Sequence, residues 1–257
     1  MERNGVIERS LTGAYVAPIL VVKKKNGKFR PCMDYRDLNL VTAPFHEPLP
    51  RIDAIKQDVR ATVFSALDLK DAFHQVPICD ASKEKTVVQT PKGLYRFNFM
   101  PFGLKNAPSY FQKVIKIVFS GCEKFVVVYI DDILVFSMTY EEHLAHLEEV
   151  MKRLYQYGLI LSVEKSVFFQ QKVKFLGLEF SCYGYRPPED YLPKIEDFKQ
   201  PTTRKGIQSF MGLVNYYRSH IPRIAIISEP LTRLTRGNTK FEWGVCSEKS
   251  KQPLSRN

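Results

Sequence analysis

Short runs of β-branched and aromatic residues, bounded by turn formers, mark the strands of this chain. The first is VAPILVV (16–22). A basic turn, KKKNGK (23–28), follows with Asn26-Gly27 as a hairpin signal, and a second strand covers 29–33. A proline-rich stretch, APFHEPLPRID (43–53), leads to a helix start. ATVFSAL (61–67) is a strand ending at Asp68, and VKFLGLEF (173–180) reads as another. FVVVYIDDILVF (125–136) has the same strand-forming character but carries Asp131 and Asp132 at its centre. That pair is either a polar turn or a hairpin tip held for something positively charged.

Helical spacing appears in three places. After an aromatic strand and a Pro/Gly loop within 94–121, Pro108 sits near the first turn of a helix with Phe111, Ile115, Val118 and Phe119 on one face, ended by Gly121. Thr139 and Glu142 have capping-box spacing before a helix whose expected apolar stripe is Leu144, Leu147, Met151 and Leu154, with Gly158 as the stop. His143 and His146 on this helix could share a metal at i, i+3, but their glutamate neighbours make them read as solvated. The third helix carries Ile207, Phe210, Met211, Val214, Tyr217 and Ile221. A soft boundary is expected near 187–200, after PPED.

Composition narrows the function classes. The 257 residues suffice for one to three compact units, and 44% hydrophobic with 25% charged residues is globular. The net charge of +11 favours a polyanionic partner, nucleic acid first and an anionic membrane second. The excess is concentrated: from Lys199 to Lys240 there are eight Lys/Arg against the single acid Glu229. Cys32, Cys79, Cys122, Cys182 and Cys246 give neither zinc spacing nor a disulfide framework, which suits a reducing, intracellular, cytoplasmic setting. MERNGVIERS is not a signal peptide, and no apolar run has membrane-spanning length, so no membrane partner is expected.

The chemistry lies in two strand-end carboxylate sites, Asp68 and Asp131-Asp132. Their separation, with a helix between, fits antiparallel neighbours whose acids share one end of a sheet. Three gathered carboxylates repel each other unless a cation sits among them. Magnesium prefers oxygen ligands, and two ions roughly 3.5–4 Å apart can stabilise both oxygens of a phosphoryl transfer. The alternative is plainer: Asp68 caps a helix, and Asp131-Asp132 makes a turn.

With these neighbours the sequence resembles the reverse transcriptases of gypsy-like LTR retrotransposons and, more distantly, of retroviruses. VVKKKNGKFRPCMDYRDLN, PLPRID, FSALDLKDAFHQVPI, MPFGLKNAPSYFQ, FVVVYIDDILVFS, HLEEVMKRL, VKFLGLEF and FMGLVNYYRSHI fall in the family's order and spacing, from about Val6 to Trp243. The resemblance implies an α+β, right-hand polymerase: fingers over 1–60, a palm with an antiparallel sheet and some fingers elements over 61–187, thumb and the start of a connection over 188–243, and a divergent tail over 244–257. It implies that Asp68 and Asp131 ligate two Mg2+ (or Mn2+) ions and that Asp132 completes the cluster. Tyr129 is the tyrosine of the family's YxDD box. Lys24 (or Lys23) and Arg30 would grip the triphosphate of a dNTP, with the backbone of Asp71 and Ala72. Phe73 would stack on the sugar and exclude a 2′-hydroxyl. Phe102 stands where retroviral enzymes carry glutamine and gypsy-like elements commonly carry phenylalanine. Phe175, Leu176 and Gly177 match the primer grip. Arg204, Lys205 and Arg218 would track phosphates of the template-primer duplex. The expected N-terminal lead is clipped, the end after FEW (241–243) looks truncated, and no protease, RNase H or integrase region is expected here; those belong to other regions of an intact Pol polyprotein. The rival expectation is an inactive nucleic-acid-binding remnant. A nucleotide cyclase is a weaker rival, since it needs no primer–template clamp.

Overall fold

A computed structural model describes residues 1–13, 15–23, 27, 29–50 and 61–236, and the chain divides into two compact units, Met1–Val173 and Lys174–Asn257.

The first unit holds two sheets. One contains β1 (Ile7–Arg9), β2 (Ala17–Lys23), β3 (Phe29–Met33), β5 (Val88–Thr90) and β6 (Gly93–Phe97), in the order β1-β6-β5-β2-β3. The Asn-Gly signal is borne out, because β2 and β3 pair antiparallel from Ile19↔Met33 to Lys23↔Phe29. Helix α1 (Arg36–Val41) follows β3, and a single turn, α2 (Asp80–Lys83), precedes β5. Ala17, Met33, Tyr35, Val88, Tyr95 and Phe97 make the core of this part, where the Tyr35 hydroxyl donates to the Thr86 carbonyl at 2.9 Å. The helix start expected after the proline-rich stretch falls on 51–60, outside the described residues.

The other sheet contains β4 (Val63–Asp68), β7 (Val126–Tyr129), β8 (Asp132–Ser137) and β9 (Val167–Gln170), in the order β7-β8-β4-β9. Two helices pack on it, α3 (Ala107–Val118) and α4 (Tyr140–Gln156). Phe111, Ile115 and Val118 of α3 meet Leu147, Val150 and Leu154 of α4 and Val126, Ile133 and Val135 of the sheet in one buried cluster.

Helix α4 corrects the expected stripe. The Thr139 side chain accepts from Glu142 N–H as the cap predicts, but Leu144 and Met151 are exposed, and the buried positions are His143, Leu147, Val150 and Leu154. His143 is not solvated: its ring is fully buried. Nε2 lies 2.7 Å from Ser65 Oγ on β4, and Nδ1 lies 2.8 Å from Ser137 Oγ on β8. His146 Nδ1 also reaches Ser137 Oγ at 2.8 Å, with its ring stacked on Phe125 at 3.8 Å. A histidine is tolerated in this core because two strands of the sheet supply hydroxyl partners. The Ser65 Oγ also accepts from Phe169 N–H on β9, so helix and three strands share one buried polar chain.

Where the second unit begins, the expected strand 173–180 is a hairpin. β10 (Lys172–Phe175) turns through Leu176 and Gly177, with φ of 47° and 68°, into β11 (Leu178–Ser181), which pairs with β12 (Gly184–Arg186). A left-handed pair of residues reverses a chain in two positions, and glycine at the second makes this inexpensive. After a short α5 (Leu192–Glu196) come α6 (Arg204–Asn215) and α7 (Ile224–Leu234). All six apolar positions expected on the basic helix are buried, but Tyr217 and Ile221 lie beyond its end. The division at 173/174 precedes the 187–200 region marked by composition. The reason is a clasp: Tyr216 and Tyr217 hydroxyls donate to the carbonyls of Leu176 and Gly177, tying the hairpin to the C-terminal end of α6.

Candidate active site

β4 and β8 run antiparallel in continuous register from Val63↔Ser137 to Asp68↔Asp132. Both carboxylates arrive at one end of the sheet, as their separation along the chain predicts. Directly opposed side chains share a face, with Cβ atoms about 5 Å apart. β7 pairs with β8 as far as Tyr129↔Asp132, leaving Ile130 and Asp131 as the turn between them. Asp131 is exposed at that tip, and Asp68 and Asp132 are half-buried.

Two features hold this geometry. Ile130 has a φ of 55°, a costly conformation for a β-branched residue. Its N–H donates to Gln112 Oε1 at 2.7 Å, and Gln112 Nε2 donates to the Val128 carbonyl at 3.3 Å. Gln112 is fully buried on α3. Its one signal in the sequence is the i+3 spacing to Ile115, which puts a polar residue on the apolar face of the helix. Asp68 is gripped by the segment 160–166. Ser162 N–H donates to the Asp68 carbonyl at 2.8 Å, Asp68 N–H donates to Ser166 Oγ at 3.1 Å, and Lys165 Nζ lies 2.9 Å from Asp68 Oδ1. Gln75 extends the grip, accepting from Ile160 N–H at 2.7 Å and donating to the Ile160 carbonyl at 3.0 Å. Nothing in the spacing of 160–166 announced this role.

The electrostatics arise from the crowding. Burial, then the charges of Asp131 and Asp68, push the Asp132 carboxyl above the usual carboxylate range, against the pull of Lys165. The hydrogen bond to Asp68, with the fields of Asp71 and Asp131, holds the Lys165 ammonium more firmly protonated. As placed, no three of the described His, Cys, Asp or Glu side chains converge into a ready-made metal cage. The donor set nevertheless fits a hard divalent ion: carboxylate oxygens on adjacent strand ends, one of them destabilised for want of positive charge.

Beside the carboxylates, Asp71 takes a left-handed φ of 48° and opens the helical turn Ala72–Gln75. Phe73 packs against Phe102 at 5.0 Å and Phe111 at 5.5 Å between ring centroids, and His74 stands edge-on to Phe102 at 5.1 Å. The structure therefore brings Asp68, Asp71, Ala72 and Phe73 onto one strand-to-turn segment, with Phe102 against Phe73. Lys23 is exposed at the end of β2. Lys24 and the side chain of Arg30 lie outside the described residues, although the Arg30 backbone sits opposite Val22 in β3. In the second unit Phe175 is buried, with Leu176 and Gly177 forming the clasped turn. Arg204, half-buried, opens α6, and Lys205 and Arg218 are exposed.

Residues 22–180 match the family model described as Reverse transcriptase (RNA-dependent DNA polymerase). The Transposon Tf2-3 and Tf2-4 polyproteins of Schizosaccharomyces pombe are each 33% identical over 243 residues, covering 94% of this chain. The chain spans 18% of the length of those curated relatives. A foamy viral protease-reverse transcriptase dRH solved in complex with ds DNA superposes with a TM-score of 0.91 at 28% identity, covering 99% of this chain and 45% of that one. A foamy viral protease-reverse transcriptase in complex with RNA/DNA hybrid gives 0.85 at 27% identity, covering 99% and 35%. The strand-end carboxylates, the α+β fold and the match over 22–180 agree: this chain belongs to the reverse transcriptase family, on the gypsy-like retrotransposon side that its motifs indicate.

Proposed function

We propose that this chain is the polymerase portion of a retrotransposon polyprotein and extends a primer 3′-hydroxyl with dNTPs on an RNA or DNA template. The observation that carries this is the register pair Asp68↔Asp132 with Asp131 at the adjoining turn. Asp68 and Asp131 would hold two Mg2+ (or Mn2+) ions, and Asp132 would complete their negative environment. When bound, such ions supply charge neutralisation at the attacking and leaving oxygens of an in-line displacement. The chain's own work is positioning. Gln112 fixes the turn that presents Asp131, and the 160–166 segment fixes Asp68. Asp71 and Ala72 would offer backbone N–H groups to the triphosphate, helped by Lys23 or Lys24 and by Arg30. Phe73, braced by Phe102 and Phe111, would press on the sugar ring and reject a 2′-hydroxyl.

The fingers would lie over 1–60, the palm with some fingers elements over 61–187, and the thumb with the start of a connection over 188–243. The turn Phe175–Gly177 would support the primer end. Arg204, Lys205 and Arg218 would meet duplex phosphates, giving affinity that falls with salt. The solved relatives bound to ds DNA and to RNA/DNA hybrid support a duplex as partner. The cysteine usage supports a reducing, intracellular compartment.

The test is primer extension on poly(rA)·oligo(dT) with dTTP and Mg2+ or Mn2+, beside Asp131→Asn/Asp132→Asn. Extension by the unaltered chain alone supports the proposal. A folded chain that binds duplex but never extends it is a binding remnant, and the proposal fails.

A further inference from the structure

The salt bridge from Lys165 to Asp68 has a meaning that the polymerase reading does not require. Lys165 belongs to the segment that grips the Asp68 backbone from both sides, at its N–H and at its carbonyl. The ammonium is therefore delivered to this carboxylate by a fixed turn. Among the described residues, Lys165 is the cation that opposes the fields of Asp131 and Asp68 at Asp132, and the acids do not converge into a cage. Asp68 instead commits one oxygen to Lys165 at 2.9 Å. The Lys165 side chain is 66% exposed, so its flexible stem can swing into water without disturbing the core.

We propose that Lys165 is a resident counter-cation that occupies the metal side of Asp68 and is exchanged for the divalent ion. In the metal-free chain it offsets the mutual repulsion of Asp68, Asp71, Asp131 and Asp132. With a divalent ion present, Asp68 would be one of the residues holding it, and the ammonium would be displaced into solvent. The lysine thus makes the site tolerable when empty and weakens it as a metal trap. This inference rests on the proposed polymerase site.

The experiment measures Mn2+ binding by the full chain, without nucleotide or nucleic acid, from the electron paramagnetic resonance signal of free Mn2+. Lys165→Met keeps the stem and removes the charge; Lys165→Gln is a second neutral variant, and Lys165→Arg keeps the charge. The neutral variants should bind Mn2+ about three- to tenfold more tightly, the size expected from removing one partly exposed charge beside a divalent ion. Lys165→Arg should stay near the unaltered chain. Adding Asp68→Asn to Lys165→Met should abolish the gain. In chelator, Lys165→Met should melt below the unaltered chain and recover more on adding Mn2+. Equal or weaker Mn2+ binding by the neutral variants overturns the exchange while leaving the polymerase site intact. Folded protein that binds no Mn2+ in any variant overturns the metal site itself, and the exchange with it.

Discussion

Replacing His143 by phenylalanine tests whether the buried hydroxyl–imidazole chain holds α4 to the sheet. The ring is fully buried and contacts Ser65 Oγ and Ser137 Oγ at hydrogen-bond distance. Phenylalanine keeps the aromatic bulk and takes one partner from each hydroxyl, leaving Ser65 Oγ with the Phe169 N–H and Ser137 Oγ with His146 Nδ1. A hydrogen bond lost inside the fold costs about 0.5–1.5 kcal/mol when the remaining group keeps another partner. Each hydroxyl keeps one partner, so the variant should lose about 1–3 kcal/mol, the worth of two hydrogen bonds and a sizeable share of the 5–15 kcal/mol typical of a folded domain. Urea unfolding followed by far-ultraviolet circular dichroism would show this as a lower midpoint at unchanged slope. A cycle with Ser137→Ala should return a coupling of at least about 1 kcal/mol, because the two side chains share one network. The pH dependence has a definite sign. Burial, then proximity to His146, lowers the His143 pKa against the opposing pull of Glu142. The unfolded chain takes up a proton near the ordinary value of about 6.5 while the folded chain resists it. Stability should be full above that pH and fall below it, and His143→Phe should flatten the slope. A loss under about 0.5 kcal/mol, strict additivity with Ser137→Ala, or an unchanged pH slope would refute the reasoning.

Asp132→Asn should abolish primer extension yet raise the melting temperature in chelator at pH 7, by about 2–4 °C for each kcal/mol of repulsion relieved. The sign comes from its raised carboxyl pKa, which makes the charged form a burden on the fold at neutral pH; a lower melting temperature would contradict it. Gln112→Leu should cut extension at least tenfold with a stability loss of about 1–3 kcal/mol, since the Ile130 N–H and Val128 carbonyl lose their partner. Wild-type turnover in that variant would remove Gln112 from the site. Gly177→Ala, at a φ of 68° and with Tyr216 and Tyr217 atoms 3.5–3.6 Å from the added methyl, should cost about 1 kcal/mol in thermal unfolding. Phe73→Ala should narrow the preference for dTTP over UTP in competitive extension at least tenfold; unchanged discrimination would leave Phe73 as a packing residue only.

Most of this architecture was legible because the strands are short β-rich runs with clear ends. Asp68 and Asp132 could be paired from the chain because a strand places its last residue at the sheet edge whatever the rest of the fold does. The histidines were misjudged for a general reason. A polar residue on a helix reads as solvated unless the strand it faces is known, and Ser65 and Ser137 lie 78 and 6 residues away from His143. Lys165 escaped for the same reason, since its partner Asp68 is 97 residues distant. The 173–180 segment looked like one strand because Leu176 is a poor turn former. Its turn is imposed by the tyrosine clasp 40 residues downstream.

The register of β4 against β8 also makes catalysis a proofreader of folding. Strand side chains alternate with period two, so a slip of one residue would set Ile133 opposite Asp68 and turn one carboxylate to the far face. A slipped chain could keep its helices, its solubility and much of its spectrum, and still have no site. For this protein, the fraction of molecules able to extend a primer would count correctly paired sheets more strictly than any measure of helix content. A single residue inserted within β4 would be a sharper lesion than most substitutions of its core.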